Sequence, residues 1–382
     1  FSSMHTLPRI HDAGPLAGKR VLVRADFNVP VVDGVVIDST RISKNLRTIK
    51  WLVAQGAKVG VISHIESAGK TLEPIVPLLS AAVPVTFCRG LDLFSRTLAT
   101  TDTGRIVLLE NVRLLDGEMT NDPGLARLLA ATADIFVNDA FSVSHRMHAS
   151  VVGIAAHIPS YAGLQFEAEY KALSAALTPE HPFVFMLGGA KFDTKVPLVQ
   201  KFLELADTVF VGGALAHNFF RAAGYDIGHS LVAEGSFNEK ELLKNGKLFL
   251  PVDVIAETTD GSKQTRVTIP EALRSDEKIV DNGPKTVAQL IALAHAAKLV
   301  VWNGPLGAYE FGYKHYTLDL ARGLSECALD GVKTILGGGD TVAAIKELDI
   351  EHTFTHVSTA GGAMLEFLEK GTLPGIEALV QN

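Results

Sequence analysis

Short apolar runs, separated by stretches of helical period, constrain this chain more than any single residue does. Arg20–Asp26, Lys58–Ser63, Pro84–Phe87, Arg105–Leu109 and Asp134–Val137 read as buried strands. Pro182–Leu187, Asp207–Val211, Leu299–Trp302, Lys333–Leu336 and Thr355–Ser358 repeat the pattern further on. Helical spacing fills the intervals, as in Thr40–Gln55 and Pro123–Ala131. A strand followed by a helix and another strand pairs in parallel, because a parallel neighbour is reached only through a crossover. The expected class is therefore α/β, with parallel sheets flanked by helices. At 382 residues the chain exceeds one ordinary core, so two domains are expected. Ala162–Ala176, an amphipathic helical stretch without a strong strand partner, reads as their connector.

Bulk properties exclude several function classes. The net charge of −7 argues against general nucleic-acid binding. It is unevenly spread: residues 1–160 hold 16 Lys and Arg against 14 Asp and Glu, and the rest hold 19 against 28. The front half is thus the better host for a small anion. No apolar run reaches the ~18 residues that span a bilayer, so no membrane partner is expected. The two cysteines, Cys88 and Cys327, have no metal-ligand spacing and read as reduced thiols of a cytoplasmic protein.

In parallel sheets, ligands bind at the carboxyl ends of strands, and chemistry-bearing residues recur there. Leu187-Gly188-Gly189-Ala190-Lys191-Phe192-Asp193-Thr194-Lys195 joins an apolar strand to a helix start. Glycines let the backbone approach an anion, and free N–H groups of the helix face it. Lys191 and Lys195, four residues apart, share one helix face and can bracket a phosphoryl group. This is not a Walker A loop, since Gly-x-x-x-x-Gly-Lys-Ser/Thr does not occur. Gly337-Gly338-Gly339-Asp340-Thr341 makes a second such turn, in which Asp340 suits Mg²⁺ and Thr341 suits a helix cap or a phosphate. Alone, the triplet also serves as a plain turn. Trp302–Glu310 makes a third, where Glu310 either accepts from ribose hydroxyls or is simply solvated. Thr359–Ala363 reads equally as a hinge or as close helix packing.

The front half offers cations instead. Arg41 follows Asp38-Ser39-Thr40 at a helix start, Arg113 follows Glu110-Asn111-Val112, and Arg146 lies in His145-Arg146-Met147-His148. His64 closes a strand. Each alone reads as a solvated or paired side chain, but together they suit a phosphorylated acid, which arginine binds in two-pronged fashion. Asp26 and Asn28 would then meet that acid's hydroxyl.

These residues resemble the phosphoglycerate kinase family from about Leu7 to Leu379. The matching motifs are Val23–Pro30, Asp38–Ile42, Leu109–Arg113, Asn138–Phe141, His145–Ser150, Gly188–Lys195, Asp281–Pro284, Trp302–Glu310 and Gly337–Thr341, all collinear. The resemblance implies two Rossmann-like lobes joined by a hinge. It places a 3-phosphoglycerate-binding lobe at residues 4–160, a connecting helix at 161–178, a nucleotide-binding lobe at 179–370, and a segment returning to the first lobe at 371–382. It implies a monomeric glycolytic kinase that exchanges a phosphoryl group between 1,3-bisphosphoglycerate and ADP, giving 3-phosphoglycerate and ATP. The implied triose site is Asp26, Asn28, Arg41, His64, Arg113 and Arg146. The implied MgADP or MgATP site is Gly189, Lys191, Lys195, Gly213, Gly283, Asn303, Glu310, Gly338, Gly339, Asp340 and Thr341, with Asp340 on the metal. Arg41, Lys191 and Lys195 would carry the catalysis, and the lobes would close on each other.

The chain departs from the family pattern at Ser63-His64-Ile65-Glu66-Ser67-Ala68, where Ser-His-Leu-Gly-Arg-Pro is usual. Ala214, Ala360 and Ser142 also stand where glycine is usual. A catalytically weakened relative, kept as a binding protein, is the alternative. A dehydrogenase would need Gly-x-Gly-x-x-Gly in a first βα turn, and the chain lacks it.

Overall fold

A computed structural model describes residues 6–66, 70–190, 192–232 and 238–381, with backbone only at 192–194. Lys191 and the Ser67-Ala68 departure lie outside the described residues. The chain divides into one unit of Phe1–Lys171 with Lys370–Asn382 and another of Ala172–Glu369.

The first unit contains β1 (Arg20–Arg24), β2 (Val31–Val32), β3 (Val35–Val36), β4 (Lys58–Ile62), β5 (Val85–Cys88), β6 (Ile106–Leu109), β7 (Ile135–Asn138) and β8 (Ser160–Ala162). Six of these form a parallel sheet in the order β5-β6-β4-β1-β7-β8. Alternation along each strand partitions the core. Val21, Val23, Val59, Val61, Ile106, Leu108, Ile135 and Val137 face one layer with Ile42, Ile49 and Leu52 of helix Thr40–Ala54. Leu22, Val107, Leu109 and Phe136 face the other, with Phe94 and Leu98 of helix Leu91–Thr100 and Leu125 and Leu129 of helix Pro123–Ala130. Both faces are covered, which is why these strands read as continuous apolar runs.

The second unit contains β9 (Phe183–Leu187), β10 (Thr208–Val211), β11 (Leu248–Phe249), β12 (Val254–Thr258), β13 (Thr265–Thr268), β14 (Glu277–Asn282), β15 (Leu299–Asn303), β16 (Lys333–Gly337) and β17 (His356–Val357). Its parallel sheet runs β11-β10-β9-β15-β16-β17. Renumbered one to six along the chain, this is the doubly wound order 3-2-1-4-5-6. The first unit differs from it, because β6 inserts between β5 and β4. One face of the second sheet packs Val184, Met186, Val300, Trp302 and Leu336 against Leu290, Leu320 and Leu324. On the other, the Phe185 and Phe202 rings stack at 3.9 Å. A three-stranded antiparallel sheet, β13-β12-β14, adds a small core of Ala216, Phe220, Val254, Ala256, Leu273 and Ile279.

The helix Leu164–Ala175 crosses the division between the units. Just before it, Ser160–Ala162 pairs with β7 as an edge strand. Asp139 caps the helix, accepting from Gln165 N at 2.9 Å and Phe166 N at 3.2 Å. Burial pushes this carboxyl up to about 7. The last helix, Pro374–Val380, belongs to the first unit, where Gly375 N donates to Ser144 O at 2.8 Å.

Candidate active site

Each parallel sheet has a crevice where successive connections depart in opposite directions. In the first unit the chain leaves β1 toward β4 and leaves β7 toward β8, so the crevice opens between the ends of β1 and β7. Asp26 follows β1 and Ser142 follows β7. The Ser142 hydroxyl donates to Asp26 Oδ2 at 2.6 Å, and Arg41 Nη1 donates to the same oxygen at 2.8 Å. Asp38 holds Arg41 at the helix start by accepting from Thr40 N at 2.9 Å. Asn45, one helical turn on, accepts from Asp26 N at 3.0 Å and donates to Arg41 O at 3.0 Å. Asn28 N donates to Asp26 Oδ1 at 3.1 Å.

The remaining predicted groups lie within electrostatic reach of one another. His64 feels the charges of Arg24, Arg113 and Arg41, and His148 feels Arg113, Arg24 and Arg146. Arg146 is exposed. His64 is only 1% exposed, and burial, aided by those arginines, pushes its pKa far down. It contributes a neutral imidazole. Arg24 Nη2 lies 3.2 Å from His64 Nδ1. A guanidinium only donates, so Nδ1 accepts and the ring proton sits on Nε2. Arg24 itself was not singled out from the sequence. It is fully buried, with Nε donating to Ser150 Oγ at 2.8 Å, and Ser150 in turn donates to buried Glu118 at 2.6 Å. β1 begins and ends with arginine, and only the structure shows that Arg24 is the buried one, which demands a network.

In the second unit the crevice lies between β9, which leads left to β10, and β15, which leads right to β16. The two strand-end turns interlock there. Gly188 N donates to Asn303 O and Gly189 N to Pro305 O, both at 2.9 Å. A Cβ on Gly188 would stand 2.2 Å from Pro305 O, so only glycine fits. Lys195, in the first turn of helix Phe192–Leu205, is 6% exposed and donates from Nζ to Gly188 O. Nζ lies 3.0 Å from where a Cβ would stand on Gly189 or on Gly304, so the glycines form the walls of its pocket. Gly213, at φ 60, caps helix Ala214–Ala223, and a Cβ on it would meet Gly189 N at 2.6 Å.

Gly338 lies against Gly304 N, and buried Thr341 accepts from Gly304 N at 2.9 Å, tying the third turn to the second. Gly339 begins helix Gly339–Glu347, and Asp340 is half-buried in its first turn. Buried Asn303 directs Nδ2 at Met364 Sδ, 3.7 Å away. Glu310 is exposed on the short turn Tyr309–Phe311. Gly283 faces inward, because a Cβ there would meet the Asp253 carboxylate at 2.3 Å. The missed neighbour is Asn282. Its buried Nδ2 has no hydrogen-bond partner among the described residues and lies 3.0 Å from a Cβ position on Gly212.

One crevice ringed by arginines and another walled by glycines around a lysine define a two-unit α/β phosphotransferase. The family model for phosphoglycerate kinase matches residues 10–371. The chain belongs to the phosphoglycerate kinase family. A phosphoglycerate kinase of Thermus thermophilus is 42% identical over 380 residues, covering 95% of this chain and 97% of its own. One of Maricaulis maris is 41% identical over 400 aligned residues, covering 99% and 98%. The solved phosphoglycerate kinase of Coxiella burnetii superposes with a TM-score of 0.87 at 35% identity, over 98% of this chain and 99% of that one.

Proposed function

We propose that the chain catalyses the reversible glycolytic transfer of a phosphoryl group between 1,3-bisphosphoglycerate and ADP, giving 3-phosphoglycerate and ATP. The single observation that carries this reading is the buried Lys195 ammonium in a pocket of interlocked glycine turns, in a chain of this family. The 3-phosphoglycerate half-site is assigned to residues 4–160, through Asp26, Asn28, Arg41, His64, Arg113 and Arg146. The nucleotide half-site is assigned to residues 179–370, through Gly189, Lys191, Lys195, Gly213, Gly283, Asn303, Glu310, Gly338, Gly339, Asp340 and Thr341. Residues 161–178 connect them, and 371–382 return to the first lobe.

The attacking group is a phosphate oxygen of ADP, or in reverse the carboxylate of 3-phosphoglycerate. Both are ionised at neutral pH, so no general base is required. Catalysis comes from positioning and charge neutralisation. Lys195 and Arg41 take the equatorial oxygens of the moving group, and Lys191 assists. Burial of Lys195 strengthens its attraction for that charge, because little water screens it. His64 stays neutral and offers its Nε2–H as a donor, while Asp26 accepts from the triose hydroxyl. Turnover needs the two half-sites to meet, a hinge-bending step that excludes water from the acyl phosphate.

Among the described residues no group of three or more carboxylate, imidazole or thiol ligands exists. That donor set suits a Mg²⁺ that arrives on the nucleotide and touches one protein carboxylate, Asp340. Bound there, the ion would offset charge on the nucleotide phosphates. Among the described residues no helix is long and apolar enough to cross a membrane. A cytoplasmic placement is assigned from the glycolytic role of the family, and the assembly assigned is a monomer. A coupled assay with 3-phosphoglycerate and MgATP tests the reading. Turnover supports it, and a pure, folded protein without turnover refutes it.

A further inference from the structure

Glu66 stands over Arg113, and the chain is built to keep it there. Its carboxylate accepts from Arg113 Nη1. The side chain of Glu66 is 63% exposed, while that of Arg113 is 19% exposed. Glu66 N donates to Asn28 Oδ1 at 3.0 Å. Buried Asn111 staples the two segments together: its Nδ2 donates to Ile65 O and to Lys70 O, each at 2.8 Å, and its Oδ1 accepts from Arg113 N at 3.1 Å. Arg113 retains a buried Nε with no hydrogen-bond partner among the described residues. Glu66 is therefore a water-accessible carboxylate on a half-satisfied guanidinium.

We infer that Glu66 is an internal counter-ion of the anion-binding crevice: it occupies Arg113 in the empty state and is displaced by the carboxylate or phosphate of the incoming triose acid. The inference rests on the assignment of Arg113 to the 3-phosphoglycerate half-site. A guanidinium pairs with one planar anion at a time in its two-pronged mode, so the substrate and Glu66 compete for it. Once displaced, the Glu66 carboxylate remains beside the ligand as a like charge. Both effects raise the Michaelis constant for 3-phosphoglycerate. They also select against weakly charged anions, which gain too little from Arg113 to exchange with a tethered carboxylate. Glu66 thus sets affinity and specificity without touching the reacting atoms.

The experiment compares wild type with Glu66→Gln, which removes the charge, and Glu66→Ala, which also removes the acceptor. Neither disturbs the Asn28 or Asn111 bonds to the backbone. Binding of 3-phosphoglycerate and, separately, of inorganic phosphate is measured by calorimetry, and the Michaelis constant in the coupled assay. An exposed ion pair of this kind is worth a factor of about two to five. The expected result is tighter binding of both anions by about that factor in each variant, with the change in KM and not in kcat. Unchanged or weaker binding in both variants overturns the inference. The coupled assay of wild type reports independently on the proposed reaction. Turnover without a Glu66 effect removes the counter-ion alone, and a missing turnover removes the reaction while calorimetry still decides the counter-ion.

Discussion

Replacing Gly188 with alanine attacks the interlock from which the nucleotide half-site is built. The new Cβ would stand 2.2 Å from Pro305 O and 2.7 Å from Gly304 O, both backbone atoms with no side-chain freedom to retreat. Ordinary contact begins at 3.4 Å, so the two turns must separate by about 1.2 Å. Overpacking of this kind costs about 1–3 kcal/mol. The separation also strains the 2.9 Å bond from Gly189 N to Pro305 O, and a buried donor left unpaired adds about 1–3 kcal/mol. A total near 4 kcal/mol lowers the unfolding midpoint of the unit spanning Ala172–Glu369 by roughly 8–16 °C. Lys195 donates to the displaced Gly188 carbonyl, so its Nζ moves too. A misplacement near 1 Å costs about a hundredfold in rate. Gly246→Ala is the matched control, because a Cβ there meets nothing within 4 Å, and it should stay within about 0.5 kcal/mol of wild type. Calorimetric unfolding and the coupled assay read both effects. A Gly188→Ala protein with wild-type midpoint and kcat would refute the steric argument.

Two further outcomes follow from individual groups. His217 is buried, its Nδ1 lies 2.7 Å from Leu231 O, and burial pushes its pKa down to about 4. The unfolded chain protonates it near ~6.5, so its contribution is present above that value and lost as pH falls toward about 4, on the order of 3 kcal/mol. His217→Asn keeps a donor for Leu231 and should flatten that limb of the stability–pH curve; an unaltered slope in urea titrations would show that another group carries it. Asp340→Asn should raise the Mg²⁺ concentration needed for half-maximal rate at fixed ATP, with the KM for 3-phosphoglycerate nearly constant; an identical Mg²⁺ titration would remove Asp340 from the metal.

Runs such as Val21–Val23 and Val300–Trp302 revealed the parallel strands because both sheet faces are covered, which makes the apolar signal continuous. The antiparallel sheet β12–β14 stayed hidden, since its edge strand Thr265–Thr268 is largely exposed and the polar residues of Glu277–Asn282 interrupt the apolar signal although that strand is mostly buried. The hairpin β2–β3 went unread, although Val31-Val32-Asp33-Gly34-Val35-Val36 carries the Asp-Gly signal between valines, and Asp33 and Gly34 both have positive φ. Residues at strand ends, such as Asp26 and Asn303, could be placed because topology alone delivers them to the crevices. Arg24, Glu118 and Ser150 could not, because their network joins segments more than a hundred residues apart. Nor did the chain order reveal that Glu66 would seat itself on Arg113.

Lys195→Ala tests the central claim most directly, namely that a buried ammonium among glycine turns neutralises the charge of the moving phosphoryl group. Removing one stabilising cation of this kind costs ~2–4 kcal/mol. The turnover number with saturating 3-phosphoglycerate and MgATP should fall roughly a hundred- to a thousandfold in a variant that keeps its fold. A folded Lys195→Ala protein turning over at the wild-type rate would contradict the account.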